Sequence, residues 1–186
     1  MAVVRAVHTL QSHLDTSGQG YMGGVTLSPR CLVGVADMKT AHDPRVSIVT
    51  HSLGSCVAVA VCDPVFSVGG ILHFQLPSSE QNEEKAARNP FMFADTGIPL
   101  LMARVCSEGG CKERLRVKLV GGANIMDKQG FFNIGKRNYT EARKILWRLG
   151  YCITAEDVGG ESWRTIELRV GSGRLMVKNN VREYTI

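Results

Sequence analysis

Over the first 28 positions polar and small residues mix without a period, with Ser, Gly, Thr, Gln and His dominating, and the stretch closes on Ser28-Pro29. Residues 1–29 therefore read as a loosely ordered N-terminal arm, and residues 30–186 as one folded domain. From Cys31 the chain breaks into short apolar runs bounded by turn residues. Positions 32–36 and 46–50 predict strands, separated by a turn at Thr40-Ala-His-Asp-Pro44.

The run Cys56-Val-Ala-Val-Ala-Val-Cys62, then Asp63-Pro-Val-Phe66, then residues 67–76 predict a β-hairpin. Asp followed by Pro fits the first two positions of a type I turn. A four-residue loop at 63–66 pairs Cys62 with Ser67, and the same register sets Cys56 opposite His73. Directly opposed residues share a sheet face, with Cβ atoms about 4.5–5.5 Å apart. Val57, Val59, Val61, Leu72 and Phe74 then form the other face, suited to a core, while Ala58 and Ala60 beside Cys56 leave room for a closely packed layer. A bulge at Gly69-Gly70 would instead shift the pairing by one and separate Cys56 from His73.

Residues 77–92 are polar and read as a loop. A helix is predicted over 95–107, with Asp95 as its cap, Leu100, Leu101 and Val105 on one side and Pro99 in its first turn. A strand over 115–121 ends in Gly121-Gly122. A second helix over 138–149 places Ala142, Ile145, Leu146 and Leu149 at helical spacing and stops at Gly150. Strands over 151–155, 162–170 and 174–179 follow, the last two joined by Gly171-Ser-Gly173. Many strands, about two helices and mostly hairpin connections predict an α+β fold, a layered sandwich with largely antiparallel sheets.

Length and composition narrow the function classes. The 186 residues suit one domain plus an arm, and 44% hydrophobic with 21% charged residues is an ordinary globular balance. No stretch reaches the roughly 20 apolar residues of a membrane span, so no membrane insertion is expected. The N-terminus lacks a continuous apolar core of the secretory type, which points to a cytoplasmic location. The net charge is +5, but its carriers are scattered. Arg114, Arg116 and Lys118 alternate along a predicted strand, and Lys136, Arg137, Arg143, Lys144 and Arg148 run along a predicted helix, a pattern of solvated faces with no nucleic-acid partner. A weaker reading is attraction toward an acidic protein surface.

Six cysteines stand at 31, 56, 62, 106, 111 and 152. The closest pairs have four and five intervening residues, with no Cys-x-x-Cys, so neither a structural metal site nor, without a secretory signal, a disulfide framework is predicted. Most of these thiols read as small buried hydrophobes. Cys56 differs because of His73: a thiol beside an imidazole is a nucleophile beside its base. Gly54 and Ser55 form a turn that lets the backbone come close and aims N–H groups at an oxyanion. Thr50, at the end of the preceding strand, offers a hydroxyl to the ring's other nitrogen. On the residues alone, a buried Cys and His serving only the core is the stronger reading.

Five segments, Val49-Thr50-His-Ser-Leu-Gly-Ser-Cys56-Val-Ala-Val, Gly70-Ile-Leu-His73-Phe-Gln-Leu-Pro77, Gly121-Gly-Ala-Asn124, Asn133-Ile-Gly-Lys-Arg-Asn138 and Ala155-Glu-Asp-Val-Gly-Gly160, resemble in that order the hallmarks of the CheD family, the chemoreceptor glutamine deamidases of chemotaxis. The resemblance spans roughly residues 30–180. It implies a cysteine-hydrolase fold like that of bacterial toxin deamidases and a triad of Cys56 as nucleophile, His73 as general base and then acid, and Thr50 orienting His73. It further implies methyl-accepting chemotaxis receptors as substrate, methylester hydrolysis at the same sites, a CheC-type phosphatase as partner, and no cofactor or metal. A competing expectation is a regulatory binding module that titrates CheC or receptors with little catalysis.

The remaining polar residues carry plainer readings. Asn124, Asn133 and Asn138 lie within three residues of a glycine and suggest turns and caps more than a cleft lining. Asp157, before Gly159-Gly160, reads as a turn residue, and Arg164 as the partner of a carboxylate or of substrate. His8, His13 and His42 are expected at the surface, and His51 is close enough in sequence to perturb Cys56 or compete as a base.

Overall fold

A computed structural model of the chain describes residues 28–125 and 133–186; most of the predicted arm lies outside them. Among the described residues ten strands form two five-stranded sheets, and two of the three α-helices make a layer on one of them. β1 (Arg30–Val33), β3 (Ser47–Leu53), β8 (Arg164–Arg169), β9 (Arg174–Lys178) and β10 (Glu183–Thr185) make one sheet in that order. The other runs β2 (Asp37–Ala41), β5 (Val68–Phe74), β4 (Val57–Asp63), β6 (Arg116–Gly121) and β7 (Ile153–Val158). Only β1 with β3 and β6 with β7 pair in parallel; the other pairings are antiparallel. The predicted α+β class with largely antiparallel sheets holds.

Two cores follow from strand alternation. Val57, Val59, Val61, Leu72 and Phe74 face α2 (Ala94–Ser107) and α3 (Ile134–Arg148), packing on Ile98, Leu101, Val105, Ala142 and Leu146. Ala58, Ala60, Cys62 and Ile71, on the opposite face, pack on Ile48, Leu53, Ile166, Leu168 and Val177 of the other sheet. β4 and β5 are thus buried on both faces, which is why their sequence is a continuous apolar run rather than an alternating one. The small residues beside Cys56 do leave room for a second layer, and that layer is the other sheet.

The hairpin register differs from the predicted one. Asp63 pairs with Val68 and Cys62 with Gly69, so the four-residue loop is 64–67 and His73 stands opposite Ala58. Asp63 is the first residue of the turn but still belongs to the ladder, with its Oδ1 accepting from Val65 N–H. Counting it as loop displaced the expected pairing by two residues. No bulge forms at Gly69-Gly70: both stay in the ladder, and a side chain at Gly70 would collide with Leu101 and Thr40.

Other boundaries move for local reasons. The turn expected at 40–44 is partly β2, whose half-exposed residues pair with β5. The expected loop at 77–92 holds α1 (Glu83–Arg88), a short helix with no buried residue, capped by the Asn82 side chain. α2 begins at Ala94, and Asp95 is not its cap: its Oδ2 accepts from Ser79 N–H and from the hydroxyls of Ser78 and Ser79, so Pro99 falls in the second turn. α3 starts four residues earlier than expected, at Ile134, and ends as predicted at Gly150, whose φ of 75° allows the stop. β10 was not anticipated.

Candidate functional site

Thr50 and His73 come from different sheets and meet between them. Both are fully buried, on inward-facing positions of β3 and β5. Thr50 Oγ1 lies 2.9 Å from Val33 O and 2.8 Å from His73 Nδ1. The hydroxyl has one proton, and a carbonyl can only accept, so Thr50 donates to Val33 and accepts from His73 Nδ1–H. That fixes the tautomer: Nε2 carries the lone pair, is buried, and has no hydrogen-bond partner among the described residues. Burial lowers the imidazole pKa to about 4, against a smaller upward pull from Asp37, which stands opposite His73 across the β2–β5 ladder.

Cys56 precedes β4 by one residue and packs with Ala58 and Ala60 against the inter-sheet core. It therefore shares the face of His73 as a diagonal neighbour rather than the directly opposed one expected. Diagonal positions in a sheet lie roughly 7–8 Å apart, within reach of an imidazole. Burial pushes the Cys56 thiol pKa up, partly offset by its own backbone N–H. Both directions favour a neutral thiol and a neutral imidazole at rest.

The loop before Cys56 is held by its carbonyls. Gly54 O accepts from Ala123 N–H at 2.8 Å, Ser55 O from Asn138 Nδ2 at 2.9 Å, and Cys56 O from Gly122 N–H at 2.8 Å. The close approach requires glycine at 121, where φ is 117° and a Cβ would strike Cys56 O. In a planar trans peptide the C=O of one residue and the N–H of the next point opposite ways. The N–H groups of Ser55 and Cys56 are therefore turned away from Asn138 and the 121–123 segment. Of the residues expected to shape an oxyanion site, Gly54 is half-buried and Ser55 exposed.

His51 is not part of this cluster. Alternation along β3 turns it outward, exposed, with Nδ1 3.3 Å from Thr165 Oγ1. Asp157 is a strand residue rather than a turn residue, lying in β7 and accepting from Arg164 and from the Tyr184 hydroxyl. Arg164 meets a carboxylate, as one of its two readings had it, and also the carbonyls of Gly159 and Ser162. Asn124 is exposed, with its N–H donating to Gly160 O, and Asn133 precedes α3 in a left-handed conformation. Among the described residues no three His, Cys, Asp or Glu side chains gather as a metal site, and no helix is long and apolar enough to cross a membrane.

Asn138 was misplaced by sequence reasoning. It is fully buried in α3, and its Nδ2 donates both to Ser55 O and to Gln75 O, the latter at 2.7 Å and two residues past His73. A signal was available: Asn138 is four residues before Ala142, on the apolar stripe of the helix rather than at its cap. Asp37 was missed because its strand was.

The fold and site define an α+β sandwich in which a histidine and a threonine meet between two sheets and a cysteine packs against the same inter-sheet core. A family model described as CheD chemotactic sensory transduction matches residues 75–179. The chain is 45% identical over 152 residues to the probable chemoreceptor glutamine deamidase CheD of Solibacter usitatus (strain Ellin6076), covering 82% of this chain and 90% of that protein. Identity is 48% over 147 residues to the probable chemoreceptor glutamine deamidase CheD 2 of Anaeromyxobacter dehalogenans (strain 2CP-C), covering 79% and 92%. It is 42% over 149 residues to the corresponding CheD 1 of Syntrophus aciditrophicus (strain SB), covering 80% and 93%. The chain belongs to the CheD family.

Proposed function

We propose that this protein deamidates glutamine side chains of methyl-accepting chemotaxis receptors, with Cys56 as nucleophile, His73 as base and then acid, and Thr50 as the group that holds His73. The observation carrying this reading is the Val33–Thr50–His73 hydrogen-bond chain, which leaves a bare Nε2 on the sheet face that Cys56 shares. The names of the relatives, probable chemoreceptor glutamine deamidases, supply the substrate class.

Nε2 takes the Cys56 thiol proton as sulfur attacks the side-chain amide carbon. The oxyanion is met by N–H groups at Ser55 and Cys56, with Gly54 giving the loop its close approach. As the tetrahedral species collapses, the C–N bond breaks and the imidazolium protonates the leaving amine, which departs as ammonia. Nε2 then deprotonates a water that attacks the thioester, the carbon–sulfur bond breaks, and the proton returns to Cys56. Glutamate and ammonia are the products, and no cofactor enters the balance. Because the resting pair is neutral, proton transfer is coupled to attack rather than completed before it.

On this reading the architecture is that of a cysteine hydrolase of toxin-deamidase type. Residues 30–186 form the deamidase domain behind an arm at 1–29, the protein works in the cytoplasm, and a CheC-type phosphatase is its regulatory partner. Ammonia release on incubation with the cytoplasmic helical fragment of a chemoreceptor, with and without CheC, tests it. Release that tracks conversion of receptor glutamine to glutamate is expected; none in either condition would sink the proposal.

A further inference from the structure

We propose that Asn138 is a positioning residue for the oxyanion site: by holding the Ser55 carbonyl it aims the Cys56 N–H at the developing oxyanion and ties the nucleophile loop to the chain just past the base. The inference rests on the deamidase reading above. Three successive carbonyls of the loop are bound, and the two outer ones are held by backbone N–H groups of Ala123 and Gly122. The middle peptide, the one that carries the Cys56 N–H, is held by a side chain alone, Asn138 Nδ2. That N–H lies beside the Cys56 sulfur and offsets part of the rise that burial gives the thiol pKa. It is therefore a donor beside the sulfur that attacks.

The same amide reaches Gln75 O, so one planar group spans the loop bearing Cys56 and the chain just past His73. Both neighbours are acceptors, which dictates that nitrogen, not oxygen, faces them. The Asn138 Oδ1 on the other side is buried without a partner among the described residues. A residue serving only to fill the helix–sheet core would be apolar here, like Ala142, Ile145 and Leu146 on the same stripe. A buried polar group left unsatisfied costs free energy, and the two bonds its nitrogen makes to Ser55 O and Gln75 O are what an apolar group here would lack.

Asn138→Ala removes both donors, and Asn138→Leu removes them while keeping the branched shape that fills the space, so the second variant carries the test if the first does not fold. Each is compared with wild type in kcat and KM for receptor-fragment deamidation and in the rate of Cys56 alkylation by iodoacetamide without substrate. Alkylation forms no oxyanion, so it reports the thiol and not the hole. The expected result is a fall in kcat of about 10²-fold for Asn138→Ala, the scale of losing one oxyanion donor, with KM and alkylation within about twofold. Wild-type kcat in a folded variant would overturn the inference and leave the deamidase reading intact. Alkylation falling in step with kcat would also overturn it, assigning Asn138 to general support of the fold. Absence of deamidation by wild type would overturn both.

Discussion

Thr50 Oγ1 and His73 Nδ1 lie 2.8 Å apart across the gap between two sheets, and the Thr50 proton goes to Val33 O at 2.9 Å. The threonine therefore acts on His73 as an acceptor, the role a carboxylate plays in a serine-protease triad, but without a full negative charge. It selects the tautomer and stiffens the ring, and gives less support to an imidazolium. The carboxylate that bears on His73 among the described residues is Asp37, paired with it across the neighbouring strand and tied by N–H groups of Gly34 and Met38.

Thr50→Val deletes the acceptor while keeping the shape, leaving Nδ1–H and Val33 O unpaired. Losing such a buried bond costs about 1–3 kcal/mol, which corresponds to a fall of roughly 5- to 150-fold if it is felt fully in the transition state. We expect kcat to drop in that range with KM little changed. Thr50→Ser, which keeps the hydroxyl, should recover most of the activity in the same assay.

The His73 pKa gives stability a direction with pH. Its folded value, about 4, lies below the ordinary 6.5. Between these values the unfolded chain binds a proton that the folded chain refuses, so stability falls as pH drops through that window. The full loss for this one group is about 3 kcal/mol. Urea unfolding of wild type and His73→Gln at a series of pH values should show the wild-type slope flattened in the variant. The acid limb of kcat/KM due to His73 should lie near pH 4 rather than 6.5.

Asp63 sits at the far end of the hairpin from His73 and bears on the fold alone. It is fully buried, pairs with Arg114 and accepts from the N–H groups of Cys111 and Val65. Burial pushes its carboxyl up, but these partners outweigh it and the net pKa is lowered. Its contribution is therefore present above the unfolded carboxylate range and lost as pH falls through the folded value. Asp63→Ala should lower stability by about 1–3 kcal/mol in urea unfolding, with kcat of the folded enzyme unchanged.

What the sequence disclosed depended on how strongly burial wrote itself into residue type. β4 and β5, covered on both faces, were plain as apolar runs, and the separation of Val57, Val59 and Val61 from Ala58 and Ala60 showed their two environments. β2, α1 and β10 were not legible because each is short and largely half-buried or exposed, with no apolar period to read. The hairpin slipped on one residue, Asp63, which a sequence cannot assign between ladder and turn. The error was even-numbered, so it kept Cys56 and His73 on one face while removing their direct opposition. Thr50 was visible as a residue near the pair, but its proton's destination, Val33 O, belongs to a strand contact seventeen residues away. Asn138 was hidden because α3 starts at Ile134, one turn before any apolar period begins, which made a buried residue look like a cap.

The central claim is that Cys56 performs the deamidation. The direct measurement is mass spectrometry of a receptor cytoplasmic fragment, resolving glutamine from glutamate at each site, after incubation with wild type or Cys56→Ala. Circular dichroism of the variant confirms that it is folded. Conversion by wild type and none by folded Cys56→Ala is the predicted result. Conversion by Cys56→Ala at the wild-type rate would contradict it.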